Sequence, residues 1–220
     1  PCVSTLQLDV LIAIAREKKV SLFASWHSRF APAVASAKQR LTNQTVRNVR
    51  IRWKEDVRRW HPGQTWIWQA GGFGVFDPGI NALSILTEIL AEDVFVERAV
   101  LFFPANCDAP IAADLTLRTS SGALMSAEFD FRQTGDQTWD IEVETDSETL
   151  LLSQGGARLS IDGKAQDART GDTHAEYAPL YRHFAKLIET QSIDADARPF
   201  RLVADAFMLG QRIAVEEFHE

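Results

Sequence analysis

Residues 53–87 read WKEDVRRWHPGQTWIWQAGGFGVFDPGINALSILT. The stretch opens at the end of an alternating run, with Val49, Ile51 and Trp53 on one side, which predicts a strand. It closes on a helix from Asp77 to about Leu90, whose apolar face is Ile80, Leu83, Leu86 and Leu90. Asp77 has the position of an N-cap, and Pro78 suits the first turn. The stretch holds four of the chain's six tryptophans, an adjacent carboxylate pair (Glu55, Asp56), His61 and a glycine cluster at Gly71, Gly72 and Gly74. Asp77 and Asn81 stand four residues apart, so they share a helix face.

Upstream, Ser4 and Thr5 can cap a helix running along Leu8, Leu11, Ile12 and Ala15, with Lys18 and Lys19 at its C-terminal end. Residues 20–26 (VSLFASW) are a short apolar run without alternation, the look of a strand covered on both faces. A helix followed by such a strand is the closing half of a doubly wound unit, and it is expected to lack a neighbouring strand. Val34, Ala37, Lys38 and Leu41 mark a second helix.

Downstream the pattern changes to strands, at 94–103, at 112–119 and 123–131 around Ser120-Ser121-Gly122, and at 139–145 with 148–153. Another, 158–161, ends at the tight-turn dipeptide Asp162-Gly163. Two helices close the chain. The first runs along Tyr177, Leu180, Tyr181, Phe184, Leu187 and Ile188. The second, after Pro199, is marked by Leu202, Ala206, Leu209, Ile213 and Ala214. Strands with one polar and one apolar side predict an open, mainly antiparallel sheet with helices on one face, an α+β fold.

A chain of 220 residues can bury a core without staples. Its net charge of −7 offers no general attraction to phosphate backbones, so nucleic acid is not an expected partner. Cys2 and Cys107 have neither CxxC nor zinc spacing, which fits reduced thiols and a cytoplasmic location. Residues 1–20 are amphipathic with Arg16, Glu17, Lys18 and Lys19, unlike a signal peptide. No uncharged apolar run has the length of a membrane span. No set of His, Cys and carboxylates has metal-ligand spacing.

The segments KKVSLFASWHSRFAPAVASAK (18–38) and GGFGVFDPGINALSIL (71–86), joined through the strand to Trp53, resemble the C-terminal part of the Gfo/Idh/MocA oxidoreductases. Together with His27, WKED (53–56), RRWHPG (58–63) and TWD (138–140), they are most similar to the branch that oxidises L-arabinose or D-galactose at carbon 1. The resemblance covers nearly the whole chain. It implies a substrate-binding and oligomerisation domain over residues 27–220. Residues 1–26 are then the last helix and strand of an NAD(P)-binding Rossmann domain. The family uses NADP or NAD and a lysine in a Glu-Lys-Pro motif before the first helix. This chain starts at Pro1 and has no GxGxxG, so the Rossmann fingerprint and the lysine are expected to be missing, and the chain alone to be inactive. Gly71-Gly72-Phe73-Gly74 has the wrong spacing for a phosphate cradle.

The resemblance makes Asp77 the catalytic carboxylate, accepting a proton from the anomeric hydroxyl. The position four later is commonly His in the family; here it is Asn81, which orients but does not titrate. His27, Glu55, Trp60, His61 and Trp139 are implied to line a monosaccharide pocket, the indoles stacking on the sugar ring and the polar groups selecting the epimer. Taken one by one these residues have plainer readings: Asp77 as a cap, each tryptophan as packing, each histidine as locally satisfied. Trp66 and Trp68 read as packing, Lys54, Arg58 and Arg59 as a solvated face, and His174, His183 and His219 as ordinary histidines. Two other functions remain open, a non-catalytic sugar-binding or assembly module, and a glycoside hydrolase pairing Glu55 or Asp56 with Asp77. An exposed sheet face needs cover, and the resemblance implies a homodimer or tetramer through it.

Overall fold

Ser4 accepts a hydrogen bond from the Gln7 amide at 3.3 Å and so caps helix α1 (Thr5–Lys18). In this computed structural model, residues 4–166 and 175–219 are described; Cys2 and His174 lie outside them. α1 ends where Lys19 turns left-handed at φ 52°. The strand expected at 20–26 is only β1 (Leu22–Phe23), because Ala24 and Trp26 already turn into a 3₁₀ turn, His27–Phe30. Helix α2 (Val34–Leu41), strand β2 (Val46–Lys54) and the short helix α3 (Val57–Trp60) follow. A 3₁₀ turn, Thr65–Trp68, leads towards α4 (Phe76–Ile89).

The strands come next: β3 (Val94–Pro104), β4 (Ala112–Thr119), β5 (Leu124–Asp130), β6 (Thr138–Thr145), β7 (Thr149–Ser153), β8 (Arg158–Ile161) and β9 (Lys164–Ala165). The chain closes with α5 (Tyr177–Thr190), β10 (Ile193–Asp194), α6 (Arg198–Leu209) and β11 (Gln211–Val215). Ile213 and Ala214 therefore belong to a strand, not to the last helix. Gly210 breaks the helix, its φ of −68° and ψ of 126° being extended.

The large sheet has the order β11-β3-β4-β5-β2-β6-β7-β8-β9. Its pairs are antiparallel except β2 with β5 and β3 with β11. The fold is α+β with a mainly antiparallel, open sheet. One face is apolar: Val49, Ile51 and Trp53 of β2 lie beside Ala127 and Phe129 of β5 and Ile141 and Val143 of β6, all buried. The opposite face is charged. Arg50 sits across from Glu142 and Arg52 across from Asp140, at 3.4 and 3.7 Å.

α2, α4 and α6 cover the apolar face. Almost every residue of α4 is buried, which is why it is apolar nearly all round. Gly79 lets α4 approach the sheet, since a Cβ there meets the Phe129 ring at 3.0 Å. β1 is not without a neighbour, because it pairs in parallel with β10. Asp194 of β10 also receives His183 Nε2 at 2.7 Å and the Arg29 guanidinium. The rings of Phe23, Phe30 and Phe184 pack around this pair.

Candidate active site

The residues that converge at the end of β2 are brought there by strand register. Trp53 and Trp139 are direct partners across β2 and β6. Their rings stack at 6.1 Å and 29°, and Trp60 packs on Trp139 at 5.1 Å. A tryptophan wall results, buried at Trp53 and open to solvent at Trp60.

Glu55 follows β2 directly, its backbone amide donating to the Asp130 carbonyl at 2.9 Å. Its side chain is 3% exposed, so both carboxylate oxygens need donors from the protein. They have them: Trp139 Nε1–H donates to Oε2 at 2.7 Å, and His61 Nε2–H donates to Oε1 at 3.0 Å. Asp56, the next carboxylate, turns the other way and caps α3, accepting from the Arg58 amide at 3.1 Å and its guanidinium at 2.9 Å. That arrangement leaves no free carboxylate pair for the glycoside-hydrolase reading.

α3 ends at His61, whose amide donates to the Val57 carbonyl at 2.8 Å. The ring rests on Phe131 at 5.5 Å and turns its Nδ1 to Asp77 Oδ2, 3.4 Å away. A row therefore runs Trp139–Glu55–His61–Asp77, joining β6, β2, α3 and α4. Burial of the His61 ring opposes its charged form, but the hydrogen bond and charge of Glu55, with the Asp77 charge and a bond to Gln64, outweigh it. The imidazole is held above its ordinary range. Burial likewise pushes the Asp77 carboxyl up; the His61 charge pulls it back, and the Glu55 charge adds to the rise.

Asp77 does not cap α4. The cap position is Val75, already helical at φ −58° and ψ −17°, and Asp77 lies inside the first turn, its amide bonded to the Gly74 carbonyl at 2.9 Å. Its carboxyl side chain keeps 26% exposure, so solvent reaches it past the His61 ring. Asn81 stands one turn further along α4, half-buried.

His27 sits in another set of contacts. It stacks on Tyr177 at 5.5 Å and 9°, and its Nδ1 lies 3.5 Å from Glu176. Burial lowers its pKa against the pull of Glu176. Of TWD, Trp139 faces the row while Asp140 points to the charged face of the sheet and pairs with Arg52. Trp68 packs between Phe131 and Phe218, whereas Trp66 is exposed and does not pack as expected. Lys54 and Arg58 are paired with Glu128 and Asp56, and Arg59 lies 5.0 Å over the Trp60 ring. Trp53, Phe131 and Gln64 are site neighbours the sequence reading passed over. The alternation that places Trp53 beside Trp139 was the available signal for the first.

The glycine cluster does not form a dinucleotide cradle. A Cβ at Gly72 meets the Trp66 and Ile67 carbonyls at 2.5 Å, and one at Gly74 meets the Pro110 carbonyl at 2.2 Å. Protein backbone already fills that space. The row is strung out rather than converging on a point, and among the described residues no group of His, Cys, Asp and Glu is placed to hold a metal ion. No helix among them is long and apolar enough to cross a membrane.

No family model matches the chain. It is 50% identical over 191 residues to a galactose 1-dehydrogenase of Pseudomonas fluorescens, a match that covers 87% of this chain and 62% of that protein. The chain thus spans less than two thirds of that relative's length. The crystal structure of a D-galactose 1-dehydrogenase from Rhizobium etli superposes with a TM-score of 0.93 at 55% identity, over 100% of this chain and 69% of that one. A 3-ketoreductase from Actinomadura kijaniata, solved with TDP-benzene and NADP, shares the fold at a TM-score of 0.76 and 16% identity, over 97% of this chain and 69% of that one. By its likeness in sequence and fold to the Rhizobium protein, the chain belongs to the D-galactose 1-dehydrogenase family.

Proposed function

We propose that residues 27–220 are the sugar-binding and oligomerisation domain of an NAD(P)-dependent aldose 1-dehydrogenase of the Gfo/Idh/MocA type. Residues 1–26 are the last helix and strand of its cofactor domain. The substrate is a monosaccharide such as D-galactose or L-arabinose, oxidised at the anomeric carbon to the lactone. NADP or NAD is held by polypeptide outside this chain, consistent with backbone filling the space at Gly72 and Gly74. The two galactose 1-dehydrogenase relatives, each longer than this chain, support the reading.

The observation that carries it is Asp77, a partly exposed carboxyl 3.4 Å from the His61 ring and joined through His61 and Glu55 to Trp139 of the tryptophan wall. The exposed part of Trp60, beside the Arg59 guanidinium, offers an apolar surface for a sugar ring. Asp77 then takes the proton of the anomeric hydroxyl, and Asn81, on the same helix face, orients that hydroxyl. The charged outer face of the sheet pairs with a second copy in a homodimer or tetramer.

Calorimetry of this chain with D-galactose and L-arabinose tests the reading. Binding lost in Trp60→Ala is expected, with no turnover when NADP is added to the chain alone. Indifference to both sugars would remove the proposal. Binding without oxidation by the longer protein that contains the chain would mark a sugar-binding module instead.

A further inference from the structure

The His61 ring is placed between two carboxyl groups that differ in every relevant respect. Glu55 is sealed, with both oxygens accepting N–H groups at 2.7 and 3.0 Å. Asp77 is open, with 26% of its side chain exposed and one oxygen 3.4 Å from His61 Nδ1. Glu55 can only accept, so its bond to Nε2 fixes the neutral tautomer: Nε2 carries the proton and the Nδ1 lone pair faces Asp77. A ring held in this way is built to receive a proton from the Asp77 side.

We propose that His61 is the proton acceptor behind Asp77, and that Glu55 is the positioning residue that fixes its tautomer and balances its charge. This rests on the dehydrogenase reading given above. After Asp77 has taken the hydroxyl proton, the Asp77 O–H bond breaks and an Nδ1–H bond forms. Negative charge returns to Asp77, and the positive charge appears on a ring already bonded to the Glu55 carboxylate. Nothing is oxidised in this step; a proton alone moves.

The surroundings fit. The groups acting on His61 are Glu55 at the end of β2, Asp77 on α4 and Gln64 from the loop after α3, with Phe131 against the ring. Those acting on Asp77 are His61 and Glu55. Both His61 and Asp77 hold protons more readily than their free side chains, so the proton has two sites of raised affinity next to each other. Asn81, one turn along α4, has no titratable group to compete.

Imidazole ¹H–¹⁵N correlation spectra of this chain, recorded across neutral pH, read the tautomer and the titration directly, with neither sugar nor cofactor. The neutral ring is expected as the Nε2–H tautomer, and Asp77→Asn is expected to lower the proton affinity of His61 about tenfold, one pKa unit. Glu55→Gln should lower it further and mix the tautomers. Because Glu55 is buried and that variant can fail to fold, the wild-type tautomer and the Asp77→Asn titration decide the point by themselves. An Nδ1–H tautomer, or a His61 titration unmoved by Asp77→Asn, overturns the proposal.

In the longer dehydrogenase that contains the chain, His61→Gln should cut kcat roughly 100-fold with little change in KM and remove the acid limb of the kcat profile. An unchanged pH profile also overturns it. Failure of the dehydrogenase reading shows separately, as sugar that is neither bound nor oxidised while the His61 spectra keep their coupling.

Discussion

The Trp139 indole N–H donates to Glu55 Oε2 at 2.7 Å, from one sheet strand to the residue that follows its neighbour. The bond ties the tryptophan wall to the polar row, so the ring at the centre of the wall also supports the buried carboxylate. Trp139→Phe keeps an aromatic surface but leaves that oxygen without a donor. An unsatisfied buried acceptor costs about 1–3 kcal/mol. Urea unfolding of the variant should show a loss in that range, and a Trp60→Phe variant, which breaks no hydrogen bond, a much smaller one.

Protonation of the row should be visible in stability. His61 is raised in the folded state, so its contribution is fully present below the ordinary histidine value of about 6.5 and is lost as pH rises through its folded value. Asp77 is raised as well; the folded protein binds its proton more tightly, and stability falls as pH rises above about 4 towards the folded value. The stability advantage of the wild type over His61→Gln should therefore shrink as pH rises above about 6.5. Urea titrations at three pH values measure it, and an advantage that grows with pH would contradict the assignment.

Gly74 holds the start of α4, and with it Asp77. Its φ is +53°, and a Cβ there would lie 2.2 Å from the Pro110 carbonyl oxygen, which accepts from the Val75 amide at 2.7 Å. Left-handed backbone costs a non-glycine residue about 1–2 kcal/mol, and displacing the hydrogen bond adds about 1 more. Gly74→Ala should lose at least about 2 kcal/mol by urea unfolding. Gly71→Ala, at φ +86° with nothing within 4 Å, should lose less.

Asp194 holds β1 and β10 together through side chains as well as backbone. It pairs with Arg29, whose side chain is 9% exposed and whose other carboxylate, Glu88, is 3.9 Å away. Asp194→Ala leaves a mostly buried guanidinium with a poor partner, a cost of about 2–3 kcal/mol. Hydrogen exchange should speed up at Ala24, whose amide donates to the Asp194 carbonyl at 2.9 Å. Protection unchanged there would place the anchoring of β1 elsewhere.

Much of the fold was legible because the pattern is local. The alternation Val49, Ile51, Trp53 follows from one face of β2 being buried, and the apolar Ile80, Leu83 and Leu86 from a helix that is buried nearly all round. The errors came where the deciding contact is distant. Residues 20–26 looked like a strand without a neighbour, because the neighbour, Ile193–Asp194, lies some 170 positions downstream. Ile213 and Ala214 continued an apolar pattern that Gly210 interrupts, and β11 exists because β3 offers it an edge. Asp77 before Pro78 looked like a cap, but the chain is already helical at Val75, held by the Pro110 carbonyl.

The candidate site divides in the same way. Asp77, Glu55, His61, Trp60 and Trp139 were nameable from residue types and motifs, but their order was not. The sequence by itself determined which side chains were available, and which residues of β2 and α4 are buried, because periodicity records burial. Only the tertiary structure decided that Glu55 is sealed by Trp139 and His61 while Asp77 stays open, and that His27 turns to Glu176 instead. Hydrogen bonds between residues as far apart as 55 and 139 depend on register and side-chain direction, which exist once the sheet has formed and leave no periodic trace in the chain.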